Sequence, residues 1–371
     1  MGMTIFLTGG TGALGIPLLE ELLANSTCER IIVLLRPRSI PDEELLRILA
    51  KRTENNANTA AEKLEFVRGD ITLAGFGLSG TQLSDLGKRV TAIVHAASDT
   101  RFKAPEHEAY AANVAGTKNV LEFARQLKAL TQAVLLSTTC VSGRQSGTIS
   151  EKVLLEDRSF VNIYEKTKWE AELCAREFEL PLRVIRLSTV IGNAKDGWIH
   201  RKGAFHYSLQ WMFRGFIPMV PGTPGTPIDF ISSELAASFV SRILERPCSG
   251  FSVAQLAAGT HAPSLTGVID TVCRVFAEQS PAWQRGIRTS PVIVDQGTFE
   301  DFRHSVHLSG NALLNRVLDS VTSFLPTLEY PRTYETSRAQ EMYGGELPLP
   351  AWQDLLRTVA KNAAQESTFR A

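Results

Sequence analysis

The chain has 371 residues, of which 44% are hydrophobic and 21% are charged, and its formal net charge is zero. This length is sufficient for one large α/β domain with a smaller lobe. The balanced charge gives no indication of binding to nucleic acid or to an anionic membrane surface. The five cysteines are scattered and form no close metal-binding pairs, so we expect a reducing cytoplasm, no disulfides and no metal site.

The start of the chain, MTIFLTGGTGALG, predicts a strand followed by a tight turn. Thr4–Thr8 is a short apolar run with β-branched residues, which is typical of a buried strand. Ile16–Ala24 has the apolar spacing and the strong helix formers of a helix. Glycines at three-residue spacing lie between them and let the backbone approach a ligand closely. The residues that we expect to contact this ligand are Thr8, Gly9, Gly12, Ala13, Leu14 and Gly15.

Strand, glycine turn and helix together predict a site for the pyrophosphate of a dinucleotide. The N-terminus of a helix offers free N–H groups and the positive end of its dipole to a phosphate. A glycine pattern alone is weak evidence for a dinucleotide site. Here the strand before it and the helix after it supply the context that the dinucleotide fingerprint requires. The alternative is a plain glycine-rich turn. No apolar run reaches the length of a membrane span, and the early first strand leaves no room for a signal peptide.

The second predicted strand, Ile31–Leu35, ends at the sequence Arg36-Pro37-Arg38. This position faces the adenosine ribose in dinucleotide-binding folds. An acidic residue here binds the ribose hydroxyls of NAD, whereas an arginine accommodates the 2′-phosphate of NADP. We therefore expect Arg36, assisted by Arg38, to select NADPH over NADH. The alternative is that they are solvated loop arginines.

The third predicted strand, Leu64–Val67, follows a polar segment at 52–61 and leads to Asp70 and Ile71. An aspartate just past a parallel strand can accept a hydrogen bond from the adenine amino group. A turn or helix-cap role for Asp70 is nearly as well supported by the local sequence. Both interpretations stay open at this point.

Small residues follow the fourth predicted strand, Val90–Val94. Ala96 and Ala97 would let the backbone pass under the ribose and the nicotinamide. The next predicted helix, Tyr110–Leu127, contains Asn113. Asparagine is a poor helix former, so we expect Asn113 to bind backbone or an ordered water in a structural or proton-relay role.

Hydroxyl-bearing residues follow the fifth predicted strand, Ala133–Leu136, where open α/β sheets bind their ligands. Further along, Tyr164 and Lys168 are four residues apart, which places both on one face of a helix. A nearby ammonium and an oxidised nicotinamide both lower the pKa of a phenol from its usual value near 10. Tyr164 could then give a proton to a carbonyl oxygen as hydride arrives, or take one in the reverse reaction.

The sixth predicted strand, Leu182–Leu187, ends at Ser188. The segment Asn193–Pro227 is then irregular, aromatic and rich in Gly and Pro. Long irregular segments in compact domains are usually functional, so we expect it to cover a substrate, with a plain packing excursion as the alternative. Beyond it we predict short strands at Ile228–Ile231 and Phe251–Leu256, and helices at Leu235–Leu244, Ser264–Ala277 and Trp352–Ala364.

The motifs TGGTGALG, GDI, HAAS, NVAGT, STTCVSG and YEKTK, in this order, resemble the extended short-chain dehydrogenases/reductases over most of residues 1–260. Within that family, NVAGTKNVLEFA and YEKTKWEAE are similar to the branch of thioester reductase domains and fatty acyl-CoA reductases. The resemblance implies an α/β fold with a Rossmann-type doubly wound parallel sheet and a smaller mixed C-terminal lobe. We expect an NADP-binding domain at 1–195, with 226–260 returning to it, and a substrate-binding lobe at 196–225 and 261–371.

The resemblance also implies roles for individual residues. Tyr164 matches the catalytic acid/base, and Lys168 matches the lysine that lowers its pKa and binds the nicotinamide ribose. Thr138, five residues before Gly143, matches the residue that hydrogen-bonds the substrate oxygen, while a catalytic role for Asn113 stays open. The chain has Arg186-Leu187 where the family usually has Arg-Pro. Beyond the glycine loop and the arginines, the expected cofactor contacts are Asp70, Ile71, Ala96, Ala97, Lys168 and Ser188.

Together these features predict an NADPH-dependent reductase of a carbonyl-type carbon, with an acyl thioester of CoA or of a carrier protein as the expected substrate. The product is an aldehyde or an alcohol, and secondary metabolism is the expected context. One alternative is a ketone or aldehyde reductase, or a hydroxyl dehydrogenase, for a secondary metabolite, steroid-like or sugar substrate. A non-catalytic dinucleotide sensor is an alternative of another class. We expect no nucleic-acid partner, and a homodimer is left open.

Overall fold

The computed structural model of the protein describes residues 2–52, 62–156, 158–322 and 325–369. The predicted polar segment 52–61 lies outside this part, apart from Arg52. The strands are β1 Met3–Thr8, β2 Cys28–Leu35, β3 Leu64–Arg68, β4 Ala92–His95, β5 Gln132–Thr138, β6 Gly147–Ile149, β7 Leu182–Leu187, β8 Thr189–Val190, β9 Met219–Pro221, β10 Phe230–Ile231, β11 Phe251–Leu256, β12 Val292–Val294 and β13 Arg332–Tyr334.

The α-helices are α1 Gly15–Ala24, α2 Asp42–Arg52, α3 Gly80–Arg89, α4 Glu106–Tyr110, α5 Gly116–Gln126, α6 Ile163–Arg176, α7 Ala204–Phe213, α8 Ser233–Leu244, α9 Leu265–Gln279, α10 Pro281–Gln284, α11 Gln296–Leu308, α12 Ala312–Thr322, α13 Leu325–Glu329, α14 Ser337–Tyr343 and α15 Trp352–Phe369. A π-helical turn, Ala111–Ala115, joins α4 to α5, and short 3₁₀ turns lie at Ala74–Gly77, Thr139–Ser142 and Gly259–His261. Among the described residues, no helix has the length and apolar character needed to cross a membrane.

Within the described residues the central sheet has seven strands in the order β11-β7-β5-β4-β1-β2-β3, and every neighbouring pair is parallel. The strand order reverses between β1 and β4, which opens a crevice at the carboxyl ends of these strands. The predicted Rossmann-type doubly wound sheet is confirmed. Its strands carry many buried apolar residues, as in Ile31–Leu35 of β2, because the sheet is buried on both faces.

The C-terminal part of the chain builds a second hydrophobic core. This core joins α7, α9 and α15, and its buried residues include Phe205, Val272 and Leu356. Three short parallel pairs, β6–β13, β8–β10 and β9–β12, lie outside the central sheet. Two of these pairs join strands that precede residue 222 to strands that follow residue 291, so distant parts of the chain are held together.

Two sequence predictions need correction. The segment Asn193–Pro227 is not irregular throughout, because it contains helix α7 and strand β9. Phe205, Leu209 and Met212 recur at helical spacing and are buried in the second core, which favours the helix over the surrounding Gly and Pro signals. The helix predicted to begin at Tyr110 begins at Glu106 and is interrupted by the π-helical turn.

Candidate active site

The loop after β1 allows a ligand to approach the backbone closely. Gly9 has a φ of +80°, a conformation that strains residues with a side chain. A Cβ atom on Gly15 would lie 2.3 Å from the carbonyl oxygen of Gly9 and 2.4 Å from the carbonyl carbon of Gly10. The N–H of Gly12 donates to the carbonyl oxygen of Gly9 at 2.8 Å. The glycine spacing is therefore required for this turn to fold against the start of α1.

Helix α1 begins directly after this loop. Leu14 occupies the N-cap position, its side chain makes no capping hydrogen bond, and the first turn of this fully described helix contains no acidic residue. The N–H groups and the helix dipole therefore offer a site for a negatively charged group. The predicted contacts Thr8, Gly9, Gly12, Ala13, Leu14 and Gly15 all lie within this one strand–turn–helix segment.

Arg36 and Arg38 lie on the exposed loop after β2, at the carboxyl end of the sheet. Arg68, at the end of β3, donates to the carbonyl oxygens of Arg36 and Ile40, each at 3.4 Å. Arg68 also forms an ion pair with Asp42 at the start of α2. Arg68 therefore stabilises the loop that presents both arginines.

Asp70 follows β3 and organises a turn. Its Oδ1 atom accepts hydrogen bonds from the amide and the hydroxyl of Thr72, each at 2.9 Å. Ile71 is buried in the core, and its carbonyl oxygen accepts a hydrogen bond from the side chain of Asn119 at 2.7 Å. The turn role of Asp70 is thus observed, and its contact with adenine stays a prediction.

A chain of buried hydrogen bonds runs beneath the reversal point of the sheet. Thr8 Oγ1 and His95 Nδ1 are 2.6 Å apart, and His95 Nε2 is 3.1 Å from Thr117 Oγ1. The Thr117 hydroxyl donates to the carbonyl oxygen of Asn113 at 2.6 Å. Burial, together with the nearby Lys168 charge, lowers the pKa of His95 to about 3, so the ring is neutral. His95 therefore connects β1 and β4 to the helix that follows.

Ala96 and Ala97 pass directly beside the glycine loop. A Cβ atom on Gly9 would lie 2.5 Å from the amide nitrogen of Ala97. The N–H of Ala97 also donates to the hydroxyl of Thr8 at 3.3 Å. The two backbone segments form a narrow floor at the reversal point, and contact of these alanines with a cofactor stays a prediction.

Asn113 is buried in the π-helical turn and joins two segments. Its side-chain oxygen accepts from the N–H of Asp99 at 2.7 Å, and its amide group donates to the carbonyl oxygen of Asp99 at 3.0 Å. The same amide group donates to the hydroxyl of Thr167 at 2.9 Å. Thr167 lies beside Lys168 on α6. These contacts fit the structural role that the sequence suggested.

Helix α6 brings three predicted catalytic residues together. Asn162 caps its N-terminus by accepting from the N–H of Glu165 at 2.9 Å. In its first turn, the phenol of Tyr164 lies close enough to the side chain of Thr138, at the end of β5, for hydrogen bonding to affect the phenol's pKa. One turn later, Lys168 Nζ donates to the carbonyl oxygen of Leu136 at 2.8 Å. Thr138, Tyr164 and Lys168 therefore meet at the carboxyl end of β5.

Burial controls the protonation of these residues. It raises the pKa of Tyr164 above its usual range, as does the neighbouring Cys140, while the hydrogen bond with Thr138 acts in the opposite direction. Burial also lowers the pKa of Lys168 to about 8, against the attraction of Glu172. Among the protein's own groups, burial of the phenol dominates, so Tyr164 is neutral at neutral pH. The lowering of its pKa expected beside an oxidised nicotinamide stays a prediction.

Glu172, one turn beyond Lys168 on α6, forms a buried ion pair with Arg186 of β7. Arg186 is 0% exposed and Glu172 is 2% exposed, and Nη2 of the arginine lies 2.7 Å from Oε2 of the glutamate. The hydroxyl of Ser137 also donates to Glu172 at 2.5 Å, and Arg186 donates to the carbonyl oxygen of Lys152 at 3.0 Å. The pair therefore connects α6 to both β5 and β7.

Ser188 follows β7 and is hydrogen-bonded to the buried carboxylate of Asp229. Asp229 also accepts from the amides of Ala258 and Gly259 at 3.0 and 2.8 Å. Burial raises the pKa of Asp229 to about 6, and these hydrogen bonds act in the opposite direction. This network joins the ends of β7 and β11, and contact of Ser188 with a cofactor stays a prediction.

Three side chains that the sequence patterns did not single out also lie at this site. The ring of Phe102 packs against that of Tyr164 with centroids 5.5 Å apart. Cys140 is hydrogen-bonded to Thr138, and Tyr334 of β13 is hydrogen-bonded to Thr139. Cys140 could have been found from the hydroxyl cluster that contains it, whereas Phe102 and Tyr334 lie in segments without a motif.

Other candidate sites are few in the described residues. They contain no cluster of three or more His, Cys, Asp or Glu side chains arranged to hold a metal ion. A cavity of about 360 Å³ lies beside the start of α6. It is lined by Glu106, Ser159, Phe160, Asn162, Ile163 and Lys166, so none of the predicted site residues contributes to it.

Comparison with known proteins shows which family the chain belongs to. A family model for an NAD-binding domain, described as Male sterility protein, matches residues 7–240. The glycine betaine reductase of Emericella nidulans is 31% identical over 250 residues, which cover 62% of this chain and 19% of that protein. A putative fatty acyl-CoA reductase of Drosophila melanogaster is 29% identical over 265 residues, which cover 61% of this chain and 49% of that protein. The chain thus spans half or less of the length of these relatives.

Among solved structures, the terminal R domain from the myxalamid PKS-NRPS biosynthetic pathway superposes with a TM-score of 0.79. The match covers 99% of this chain and 91% of that domain, at 23% sequence identity. At this identity the likeness establishes a shared fold, which extends over the C-terminal lobe as well as the central sheet.

Proposed function

Because this chain belongs to the male sterility protein family of NAD-binding domains, we propose that it is an NADPH-dependent reductase of acyl thioesters. It is an oxidoreductase of the extended short-chain dehydrogenase/reductase type, and its cofactor is a nicotinamide dinucleotide. The relatives named above include a fatty acyl-CoA reductase and a terminal domain of a PKS-NRPS pathway, which supports a thioester substrate on CoA or on a carrier protein. We also propose that it acts in the cytoplasm.

The choice of NADPH rests on the loop after β2. Arg36 and Arg38 are exposed there, and Arg68 holds the backbone of the loop. An arginine at this position accommodates a 2′-phosphate, whereas the ribose hydroxyls of NADH are recognised by an acidic residue. The sequence at this position is Arg-Pro-Arg, which favours the phosphate.

The residues around Tyr164 fit the reduction of a thioester carbonyl. When bound, the nicotinamide supplies a hydride to the acyl carbon. Thr138 and the neutral phenol of Tyr164 hold the oxygen on which negative charge develops, and the phenol gives its proton to that oxygen. Lys168 would hold the nicotinamide ribose. When the carbonyl re-forms, this proton returns to Tyr164 and the bond between carbon and sulfur breaks. The thiolate leaves and takes a proton from solvent, and an aldehyde remains.

We propose that residues 1–195 and 226–260 hold the cofactor, while 196–225 and 261–371 form the substrate lobe. The second hydrophobic core, with Phe205 and Leu356 among its members, supports a separate lobe. The crevice at the reversal of strand order is where open α/β sheets bind ligands, and Thr138 lies at this edge.

The observation that carries this proposal is the meeting of Thr138, Tyr164 and Lys168 at one sheet edge. The test is an assay of acyl-CoA with NADPH that follows both NADPH absorbance and free thiol. We expect equal amounts of NADPH oxidised and thiol released while the aldehyde is trapped. Oxidation of NADPH by ketones or aldehydes, with no thiol released from any thioester, would instead support the carbonyl reductase alternative.

Tyr164→Phe tests the catalytic role within this function. Removing a positioned proton donor costs about 10²–10⁴-fold in rate. We expect a loss in kcat of at least about a hundredfold, with NADPH binding unchanged as measured by its fluorescence. Turnover within a few-fold of the unmodified protein would show that another group supplies the proton. Tyr110→Phe, at an exposed tyrosine at the end of α4, is the matched control and should leave kcat unchanged.

A further inference from the structure

The strand β13 reaches from the C-terminal lobe to the loop that follows Thr138. We call residues 139–147 the catalytic loop. β13 pairs with β6 in register, with Arg332 opposite Gly147, and the N–H of Gly147 donates to the carbonyl oxygen of Pro331 at 2.8 Å. The end of the catalytic loop is therefore bonded to a strand that lies far away in sequence.

Two side chains of β13 contact the same loop. Arg332 is only 5% exposed, and its guanidinium donates to the carbonyl oxygens of Gly143 at 2.5 Å and Gln145 at 2.9 Å. Tyr334 is buried, and its phenol lies close enough to the side chain of Thr139 for hydrogen bonding to affect the phenol's pKa. Alternate residues of a strand point to the same face, so β13 presents both groups to the loop at once. The contacts are spread along the loop from its first residue to its end.

Backbone geometry shows that the loop needs such support. Gly143 has a φ of +60°, and a Cβ atom there would lie 2.6 Å from the Cβ atom of Arg158. The N–H of Arg144 donates to the carbonyl oxygen of Arg158 at 3.1 Å. The loop is thus folded sharply against the segment at Arg158. The carbonyl oxygens of Gly143 and Gln145 accept hydrogen bonds from Arg332 instead of from water.

From these contacts we propose that Arg332 and Tyr334 are positioning residues that hold the catalytic loop so that Thr138 meets Tyr164. This inference rests on the proposed reductase function for its kinetic effects. Arg332 also acts on helix α6, which carries Tyr164. Its charge lies close enough to lower the pKa of Glu165, the residue after Tyr164. Burial raises the pKa of Glu165, and the Arg332 charge opposes that rise. One buried arginine is therefore connected to both the loop and α6.

The test compares Arg332→Met, Arg332→Lys and Tyr334→Phe. Small displacements of catalytic groups cost about a hundredfold in rate, so we expect Arg332→Met to lower kcat by about 10²-fold. The KM for NADPH should change less than about twofold, because the glycine loop and Arg36 are distant from β13. Arg332→Lys keeps the charge but not the two-pronged donor, and should recover part of the lost rate. Tyr334→Phe should lower kcat by several-fold.

Amide hydrogen exchange supplies a measurement that needs no turnover. We expect residues 139–147 to exchange about tenfold faster or more in Arg332→Met, with the peptides of β1 and α1 unchanged. Arg288→Met is the matched control, since Arg288 donates to the carbonyl oxygen of Phe213 at 2.8 Å within the lobe. It should change neither kcat nor exchange in the catalytic loop.

The outcomes separate this inference from the proposed function. Unchanged exchange of residues 139–147 in all three variants would overturn the positioning role, whatever the substrate. Equal losses of kcat in Arg332→Met and Arg288→Met would also overturn it, because a general loss of stability would explain both. Faster loop exchange in a protein that releases no thiol would support the positioning role and reject only the thioester reaction. If Arg332→Met does not fold, Arg332→Lys and Tyr334→Phe decide the question by the same measurements.

Discussion

At the scale of single residues, we expect the buried Lys168 to make activity sensitive to pH. Its folded pKa of about 8 lies below the ordinary value of 10.5, so its ammonium is charged below about pH 8 and is lost as pH rises through it. Since kcat/KM reports groups of the free enzyme, we expect kcat/KM for NADPH to fall above about pH 8. Steady-state kinetics across pH would measure this.

Lys168→Arg is the control for that titration. Arginine stays protonated throughout this range, so the decline near pH 8 should disappear even where the overall rate is lower. If the unmodified protein shows a level profile through and above pH 8, Lys168 does not act as an ammonium in cofactor binding.

Arg36 determines the proposed choice between the two cofactors. Arg36→Ala should raise the KM for NADPH by about tenfold or more, because a charge-assisted hydrogen bond to phosphate is worth about 1.5–3 kcal/mol. The KM for NADH should change less than twofold by the same reasoning. Arg47→Ala, at an exposed arginine of α2, is the matched control. Equal effects on both cofactors would mean that Arg36 does not meet the 2′-phosphate.

The sequence predicted the identity of these residues better than their chemistry. Tyr164 and Lys168 follow from their spacing and from the motif that contains them, because one helix brings them together. The effect of burial on the Tyr164 pKa could not be derived from the sequence, since desolvation depends on side chains from several elements. Phe102 and Tyr334 could not be assigned to the site, because only the folded chain brings them to Tyr164 and Thr139.

At the scale of secondary structure elements, the ion pair of Arg186 and Glu172 connects α6 to the sheet. Arg186→Met should lower the free energy of unfolding by about 3–5 kcal/mol, because Glu172 then keeps a buried charge without its partner. Urea denaturation would measure the change. Arg357→Met breaks the partly exposed pair with Glu278, at 2.9 Å, and should cost less than about 1 kcal/mol. A similar loss in the free energy of unfolding for both variants would contradict the prediction that burial makes the pair of Arg186 and Glu172 the stronger one.

Regular elements were predictable where local pattern and burial agree. The strands Leu182–Leu187 and Phe251–Leu256 have the predicted bounds, because both bury apolar side chains such as Val184 and Val253 in the parallel sheet. Helix α3 was not predicted, although Ser79 and Gln82 form a capping box at its start. The description of α7 as irregular failed because Phe205 and Phe213 face the lobe core, which the sequence does not locate.

At the scale of the whole molecule, cofactor binding should stabilise the fold. A ligand at a hundred times its Kd adds about 2.7 kcal/mol to the free energy of unfolding. We expect NADPH to raise the unfolding temperature more than the same concentration of NADH. Thermal unfolding followed by circular dichroism would measure both.

Glycine variants provide the controls for that effect. Gly15→Ala should remove the shift with NADPH, because its Cβ atom would overlap the carbonyl oxygen of Gly9 at 2.3 Å. Gly80→Ala should keep the shift, since a Cβ atom there meets no atom within 4 Å. An equal shift with NADPH in both variants would place the binding site away from the glycine loop.

The overall architecture was predictable in its central sheet and less so in its lobe. Strands that alternate with helices imply a doubly wound parallel sheet, whereas the order of its strands came from the structure. The pairing of β6 with β13 was not predictable, because each strand has three residues and neither carries an apolar pattern. Such short pairs depend on the packing of the lobe as a whole.

The contact between Arg332 and Gly143 has a consequence for synthesis on the ribosome. The two residues are 189 positions apart. At about 5–20 residues per second, Gly143 is made roughly 10–40 s before its partner. β1, β2, α1 and the glycine turn come earlier still, so the nascent chain completes the cofactor half of its crevice well before the strand that orders Thr139 exists. A ribosome-stalled chain ending near residue 300 should therefore contain a formed nucleotide turn and an unanchored catalytic loop.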